Sequence, residues 1–371
     1  MKQLFLSILL LLIGVNATLA EQNAADEYMR IMEFWEGLDD QEQMLLEDLP
    51  PHLEPCQETL AAMRKLDVMD RLLLQAAGKQ VCDFNIDFSE GPGVLLPHLS
   101  PMLGLTRHTI SRIHWQRMQG HDIEAARRLA GLYKLSFHMG QDGTLIGSLV
   151  AQSIFTKCDA SVETGIEAGT IGPDEARMLL SSLKGAEEDD AFGTIQSIRN
   201  EKEYFGGWVE KEIEKSVQPD GSIELTDEME DVFSTFEVSN VEDWVEGFRS
   251  QDIDGYYRFM DESIEAFEMV DPTAARAKQA GIEAALVEGE YGNFAKLLAP
   301  TLGKVMESMH KNEKALSDRV EQLNAIANGA IDPMDGANAA WRYIKAARML
   351  EQLPPGDIHK EARSLILNEL L

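Results

Sequence analysis

The chain is short of cysteine, short of basic residues and, beyond its first twenty positions, without a long hydrophobic run. Three cysteines in 371 residues, Cys56, Cys82 and Cys158, are too few for a disulfide-stapled scaffold, and their spacing matches no metal-ligating pair. Lys and Arg number 33 against 64 Asp and Glu, a formal charge of -31. That deficit excludes most nucleic-acid binding, which needs clustered cations to displace the counterions of phosphates. Also missing are a Gly-x-Ser-x-Gly elbow, a phosphate-cradling glycine loop, a His-Glu-x-x-His pair and a Cys-x-x-Cys-His haem site. No long Gly/Ser-rich or Pro-rich linker divides the chain. What is present is a hydrophobic content of 44%, enough to bury a core despite the charge.

Residues 1-20 read as a secretory signal: Lys2, then an apolar stretch from Leu4 to Val15, then Thr18-Leu19-Ala20 before Glu21. The stretch is shorter than the ~20 residues of a spanning helix, so cleavage near Ala20 and a periplasmic or extracellular destination are expected, with a retained anchor as the alternative. The densest later apolar stretch, Leu145 to Phe155, is interrupted by Gly147, Ser148, Gln152 and Ser153, so no transmembrane segment is expected in the mature chain. In an oxidising compartment Cys56 and Cys82 either bridge, for about 3-4 kcal/mol of loop-closure entropy, or stay separate buried thiols.

Apolar periodicity predicts an all-α fold, an irregular array of helix hairpins, with a short irregular or strand segment near 81-97. Residues 27-49 and 56-77 read as two amphipathic helices separated by Pro50-Pro51. A second hairpin is expected across 101-140: Ser100 and Pro101 start one helix with Leu103, Ile110, Ile113 and Met118 on its apolar face, and Asp122 caps the next, which ends at Gly140. Its turn looks tetratricopeptide-like, in this one unit only. Gly172-Pro173, Asp271-Pro272 and Asp332-Pro333 mark further helix starts. The expected organisation is an N-terminal array over 21-185, an acidic helical segment over 186-270 and C-terminal helices over 271-371 packed on the same array. Residues 181-270 hold 25 acidic and 7 basic side chains, whereas 101-140 hold 2 and 6. The acidic segment also carries Trp208, Trp244, Tyr256 and Tyr257, so it is expected to fold with one anionic face rather than to form a tail.

Cys82-Asp83-Phe84-Asn85-Ile86-Asp87-Phe88, then Gly91-Pro92 and Leu95-Leu96-Pro97-His98-Leu99, resembles uncharacterised secreted, mostly helical proteins of planctomycete-type bacteria. The similarity runs on through the hairpin at 101-140 to Ile154 and returns weakly at Asn293 to Pro300, about half of the mature chain. It implies export and an α-helical fold, and carries no catalytic residues with it.

Three patterns are candidate sites. Ser250 to Asp261 follows part of a calcium loop, with Asp252, Asp254 and Asp261 as oxygen donors and Gly255 at the turn, although Ser250 and Arg258 stand where ligands belong. The alternative there is an interhelical turn capped by Asp252 or Asp254. Arg107, Arg112, Arg117, Arg127 and Arg128 form either a groove for anionic ligands or a set of intramolecular pairs. His98, His108, His114, His121 and His138 cluster in sequence, and Glu307-x-x-His310 is half of a di-iron pattern. No cofactor is expected other than calcium. The leading expectation is a non-catalytic exported protein that binds a protein or peptide. The alternatives are an extracytoplasmic hydrolase using His and carboxylates near 98-138, and a calcium-binding surface protein. A closed pocket gathering His and Asp/Glu favours the hydrolase, and an open groove favours binding.

Overall fold

Helices α1 (Ala25–Glu36) and α4 (Asp67–Ala77) pack against each other, and α2 (Asp40–Glu47) packs on α3 (Gln57–Lys65). The computed structural model describes residues 23-47, 57-88, 91, 94-184, 186, 190-220, 222, 224-227, 229-230, 253-292, 295-296 and 302-331. The expected single helices at 27-49 and 56-77 are therefore each broken, and the two breaks divide the hairpin into matching halves. At the first break Gly37 and Leu38 leave the helix and the Asp39 carboxylate accepts from Glu42 N (2.9 Å), restarting it. The second break is a single turn at Leu66, whose side chain is buried.

Helix α5 (Leu99–Met118) and α6 (Asp122–Met139) form the expected second hairpin. Gly120 supplies the turn at φ +76°, a conformation L side chains resist. Three details differ from the sequence reading: α5 begins at Leu99 with His98 in the cap position, ahead of Ser100 and Pro101. Asp122 is the first helical residue and His121 occupies the cap position. The buried face of α5 is mixed rather than apolar: Met102, Leu105 and Ile113 share it with Thr106, Thr109, Arg112 and Gln116, while Leu103 and Ile110 flank it. Polar groups are tolerated there because they are bonded, as Thr106 Oγ1 is to Met102 O (2.9 Å).

Helix α6 is the hub of the first region. It packs on α4, α5, α7 (Leu145–Glu167) and α8 (Pro173–Leu183), and it buries Leu129, Leu132, Tyr133, Leu135 and Met139 completely. Thr144 caps α7 by accepting from Gly147 N (2.9 Å), and Pro173 opens α8 with the Glu175 carboxylate returning to Gly172 N (2.9 Å), as that sequence predicts. The expected irregular segment is present: residues 82-87 are neither helix nor strand, and one isolated bridge joins Val81 to Asn23.

A second region is built from α9 (Thr194–Ser216), α10 (Asp254–Phe267), α11 (Pro272–Glu288) and the first half of α12 (Leu302–Ala327) around Trp208, Tyr256, Phe259, Phe267 and Met306. Asp271 caps α11 through Thr273 N (2.9 Å), again as expected. Helix α12 belongs to both regions. Leu302, Val305, Met306 and Met309 lie in the second core, and Leu316, Leu323 and Ile326 complete the first. Between the cores runs a polar seam. Gln152 donates to Thr194 Oγ1 (3.0 Å) and accepts from Ser308 Oγ (2.6 Å) and Asn312 Nδ2 (3.2 Å), and Ser148 Oγ meets Thr194 Oγ1 at 2.7 Å. The expected start at Asp332-Pro333 lies outside the described residues. None of the described helices is long and apolar enough to cross a membrane.

Candidate functional site

A cleft opens where the two regions meet. One lobe, of about 460 Å³, is bordered by Lys79, Lys134, Phe137, His138, Lys184 and Asp190. The other, of about 1150 Å³, runs between Ile195 and Arg199 of α9, the stretch from Phe267 to Pro272, and Met309, His310, Leu316 and Val320 of α12. Gly140, Gln141, Asp190, Ala191 and Gly193 wall both lobes, so the lobes are parts of one cleft. Gly193 sits at φ +64°, and a Cβ there would collide with the Gly140 carbonyl, so this wall exists only because two glycine backbones touch. Asp190 accepts from Ile195 N (3.0 Å) and Gln196 N (2.9 Å), which fixes the start of α9 at the rim.

The lining mixes apolar and polar groups. Val270 is almost fully exposed at the rim, Arg199 pairs with Glu268, and His310 Nδ1 is buried without a hydrogen-bond partner. Burial, with the nearby Arg276 charge, lowers the His310 pKa, which favours the neutral ring. His138 is held from two sides: its Nε2 donates to Lys79 O (3.2 Å), which makes Nδ1 the acceptor of the Tyr28 hydroxyl (2.8 Å). Burial lowers its pKa to about 4, against the Lys79 carbonyl and with help from the Lys134 charge.

The expected histidine cluster is dispersed. His98 and Asp142 form a sealed pair, Nε2 to Oδ2 3.3 Å, with the imidazole stacked on Phe84 at 3.9 Å between centroids. Both side chains are essentially inaccessible. Cys82 lies in the same interior, and burial, then the Asp142 and Asp83 charges, pushes its thiol pKa up, away from a nucleophilic thiolate. His108 is buried, its Nδ1 3.1 Å from Leu46 O and its ring stacked on Trp35. His114 is half-buried on α5, and His121 is exposed at the turn beyond Gly120. Glu307 is exposed on α12 while His310 faces the cleft. Among the described residues no three His, Cys, Asp or Glu gather in a metal-binding group.

The arginines do not share a groove. Arg112 pairs with Asp67 and with Asp70 (3.0 Å), and Arg128 also meets Asp70 (2.5 Å). Arg117 turns inward to Ser161 O (2.6 Å), and burial lowers its pKa to about 10. Only Arg107 and Arg127 are exposed, on separate helices, and Arg107 borders a small pocket of about 180 Å³ with His108. The alternative of intramolecular pairing therefore describes Arg112 and Arg128.

The calcium pattern meets a similar end. Asp252 lies outside the described residues, but residues 254-261 are helical, so Asp254 and Asp261 stand two turns apart on α10 instead of converging from a loop. Asp261 binds Lys202 (2.6 Å). Gly255 has a packing role instead: a Cβ there would collide with the Tyr291 carbonyl. Cys82 and Cys158 are free and buried; Cys56 lies outside the described residues, and so does its pairing.

Apart from His138 and His310, the cleft residues escaped the sequence reading because many separate elements contribute them, with no shared spacing. Compared with known proteins, the chain matches no family model, no curated protein and no solved structure.

Proposed function

We propose that this chain is an exported, non-catalytic helical protein that holds a peptide segment of another protein in the cleft between its two regions. The observation that carries this reading is the contrast in access. The larger lobe is open, about 1150 Å³, and lined by Phe267, Met269, Val270, Leu316 and Val320 among scattered polar groups, whereas the His98–Asp142 pair is sealed away. Apolar walls supply affinity without direction, and polar side chains in the same wall, Gln196, Arg199 and Ser317 among them, supply anchors for a peptide backbone. The signal-like residues 1-20 support an extracytoplasmic setting.

A random dodecapeptide display selection against the wild-type protein tests the reading. Enriched peptides are expected to lose at least tenfold in affinity for Val320→Trp, which fills the lobe, with far-UV circular dichroism and melting unchanged. Equal binding to the variant, or no enrichment at all, overturns the cleft as the binding site. Mass spectrometry of the incubated peptides is expected to find them intact, and cleavage would return the argument to a hydrolase.

A further inference from the structure

In a chain with nearly two acidic side chains for each basic one, a sheltered cation without a carboxylate is informative, because most have one at hand. Arg112, Arg128 and Arg319 each pair with buried or half-buried carboxylates, and Lys79 pairs with Glu27. Arg117 turns instead to the Ser161 carbonyl; half-buried Lys134 and, beside the same lobe, exposed Lys184 are different. Both border the smaller lobe of the cleft, Lys134 from the middle of α6 and Lys184 from the end of α8, and no carboxylate among the described residues stands within ion-pair distance of either. Lys134 is half-buried, and its ammonium lies 6.0 Å from the Phe137 ring centroid. The Asp190 carboxylate in the same lobe is committed to the backbone of α9.

We propose that the smaller lobe is a carboxylate subsite, in which Lys134 and Lys184 take a Glu, Asp or C-terminal carboxylate of the bound peptide while its apolar residues lie in the adjoining lobe. This rests on the peptide-binding reading and adds its charge preference. The chemistry follows from partial desolvation. A lysine held half out of water gains more from a countercharge than an exposed one, as the lowering of the Lys134 pKa by burial also indicates. The chain's overall -31 does not prevent this, because at physiological ionic strength charges beyond about 8 Å are largely screened and the lysines act at contact distance.

The probe is a fluorescein-labelled, leucine-rich dodecapeptide with two adjacent glutamates near a free C-terminus, compared with its glutamine, C-terminally amidated twin. Wild type is expected to bind the acidic peptide roughly tenfold more tightly, a preference that weakens with salt, shrinks to within twofold in Lys134→Gln/Lys184→Gln, and survives in Lys134→Arg. Equal binding of the twins overturns the carboxylate subsite and leaves the cleft standing, whereas failure of both peptides overturns cleft and subsite together. A preference that persists in the double variant overturns the assignment to these lysines. If preference emerges only after Glu187, Glu188 and Asp189 are neutralised, the lysines serve the chain's own acidic run and the proposal falls.

Discussion

The first region closes several paired charges into its interior, whereas the second carries most of its described carboxylates at the surface. In the first, Arg112 and Arg128 close on Asp70, and Arg319 closes on Asp159 (2.6 Å) and Glu163 (2.6 Å) against the body of the region. In the second, carboxylates stand at the surface and accept from tyrosines: Tyr257 to Glu210 at 3.1 Å, Tyr291 to Glu262 at 2.6 Å. Burial, then these glutamates, raise both phenol pKa values to about 12. Lys202 and Arg258 lie over the same two rings. The excess of 25 acidic against 7 basic residues at 181-270 is thus compatible with a packed core, because among the described residues the core faces are largely apolar and most of the carboxylates are exposed.

The strongest way to break this comparison is to ask whether the regions unfold separately. Phe155→Ala in the first core and Phe259→Ala in the second each remove a completely buried ring, at an expected cost of about 3-5 kcal/mol. Because α12 contributes to both cores, each change is expected to lower one shared transition. Helix content and tryptophan fluorescence should report that transition together, with Trp35 and Trp115 sampling the first region and Trp208 the second. Two separated transitions would show that the seam does not couple them.

A change at the seam itself is the next largest. Gln152→Leu deletes the hub and removes one hydrogen bond each from Thr194, Ser308 and Asn312, for an expected loss of about 3 kcal/mol in urea unfolding. A neutral result would mean that the seam groups find other partners, or that apolar packing replaces the network.

The subtlest distinction is in pH. His138 in the first region is held near 4, so between about 6.5 and 4 the unfolded chain takes up a proton that the native one refuses, and stability falls as pH drops through that window. Glu201 in the second is raised by burial to about 7, against a hydrogen bond from the Leu145 amide. Its native form keeps a proton that the unfolded chain sheds above about 4.5, so its contribution is lost as pH rises towards 7. Each is worth about 3 kcal/mol, and the two slopes oppose each other between about 4.5 and 6.5. Glu201→Gln is expected to stabilise at pH 8 and to be neutral at pH 4. His138→Gln should flatten the acid limb only. Chemical denaturation across pH reads both, and parallel shifts of the two limbs would remove the distinction.

Local signals in the chain carried the helices well. Apolar periodicity located α6, and Gly120, Pro173 and Asp271 marked ends that the fold uses. Less visible was anything that depends on partners distant in sequence. The break at Leu66 carries no strong stop signal, and the Gly37 and Asp39 signals beside Leu38 lie within a continuing apolar period; the breaks match because α1–α4 and α2–α3 face each other. The polar face of α5 reads as surface until Asp67, Asp70 and Ser161 are brought against it. Ser148 and Gln152, which in the sequence only interrupt an apolar run, are the seam. Asp254, Gly255 and Asp261 match a loop by spacing, yet spacing alone does not separate a loop from the helix they form. Lys134 and Lys184 had no local signal, since the absence of a carboxylate is a three-dimensional fact.

Helix α12 spans 26 residues, about 39 Å at 1.5 Å per residue, and its last turns supply Leu316, Leu323 and Ile326 to a core otherwise finished by Phe192. A chain emerging N-terminus first therefore makes most of its first core more than a hundred residues before the pieces that seal it. Until then α7 and α8 expose the apolar face that α12 later covers. The closing contact is among the most non-local in the molecule, and it sets a folding order in which the second region must be synthesised before the first can be completed.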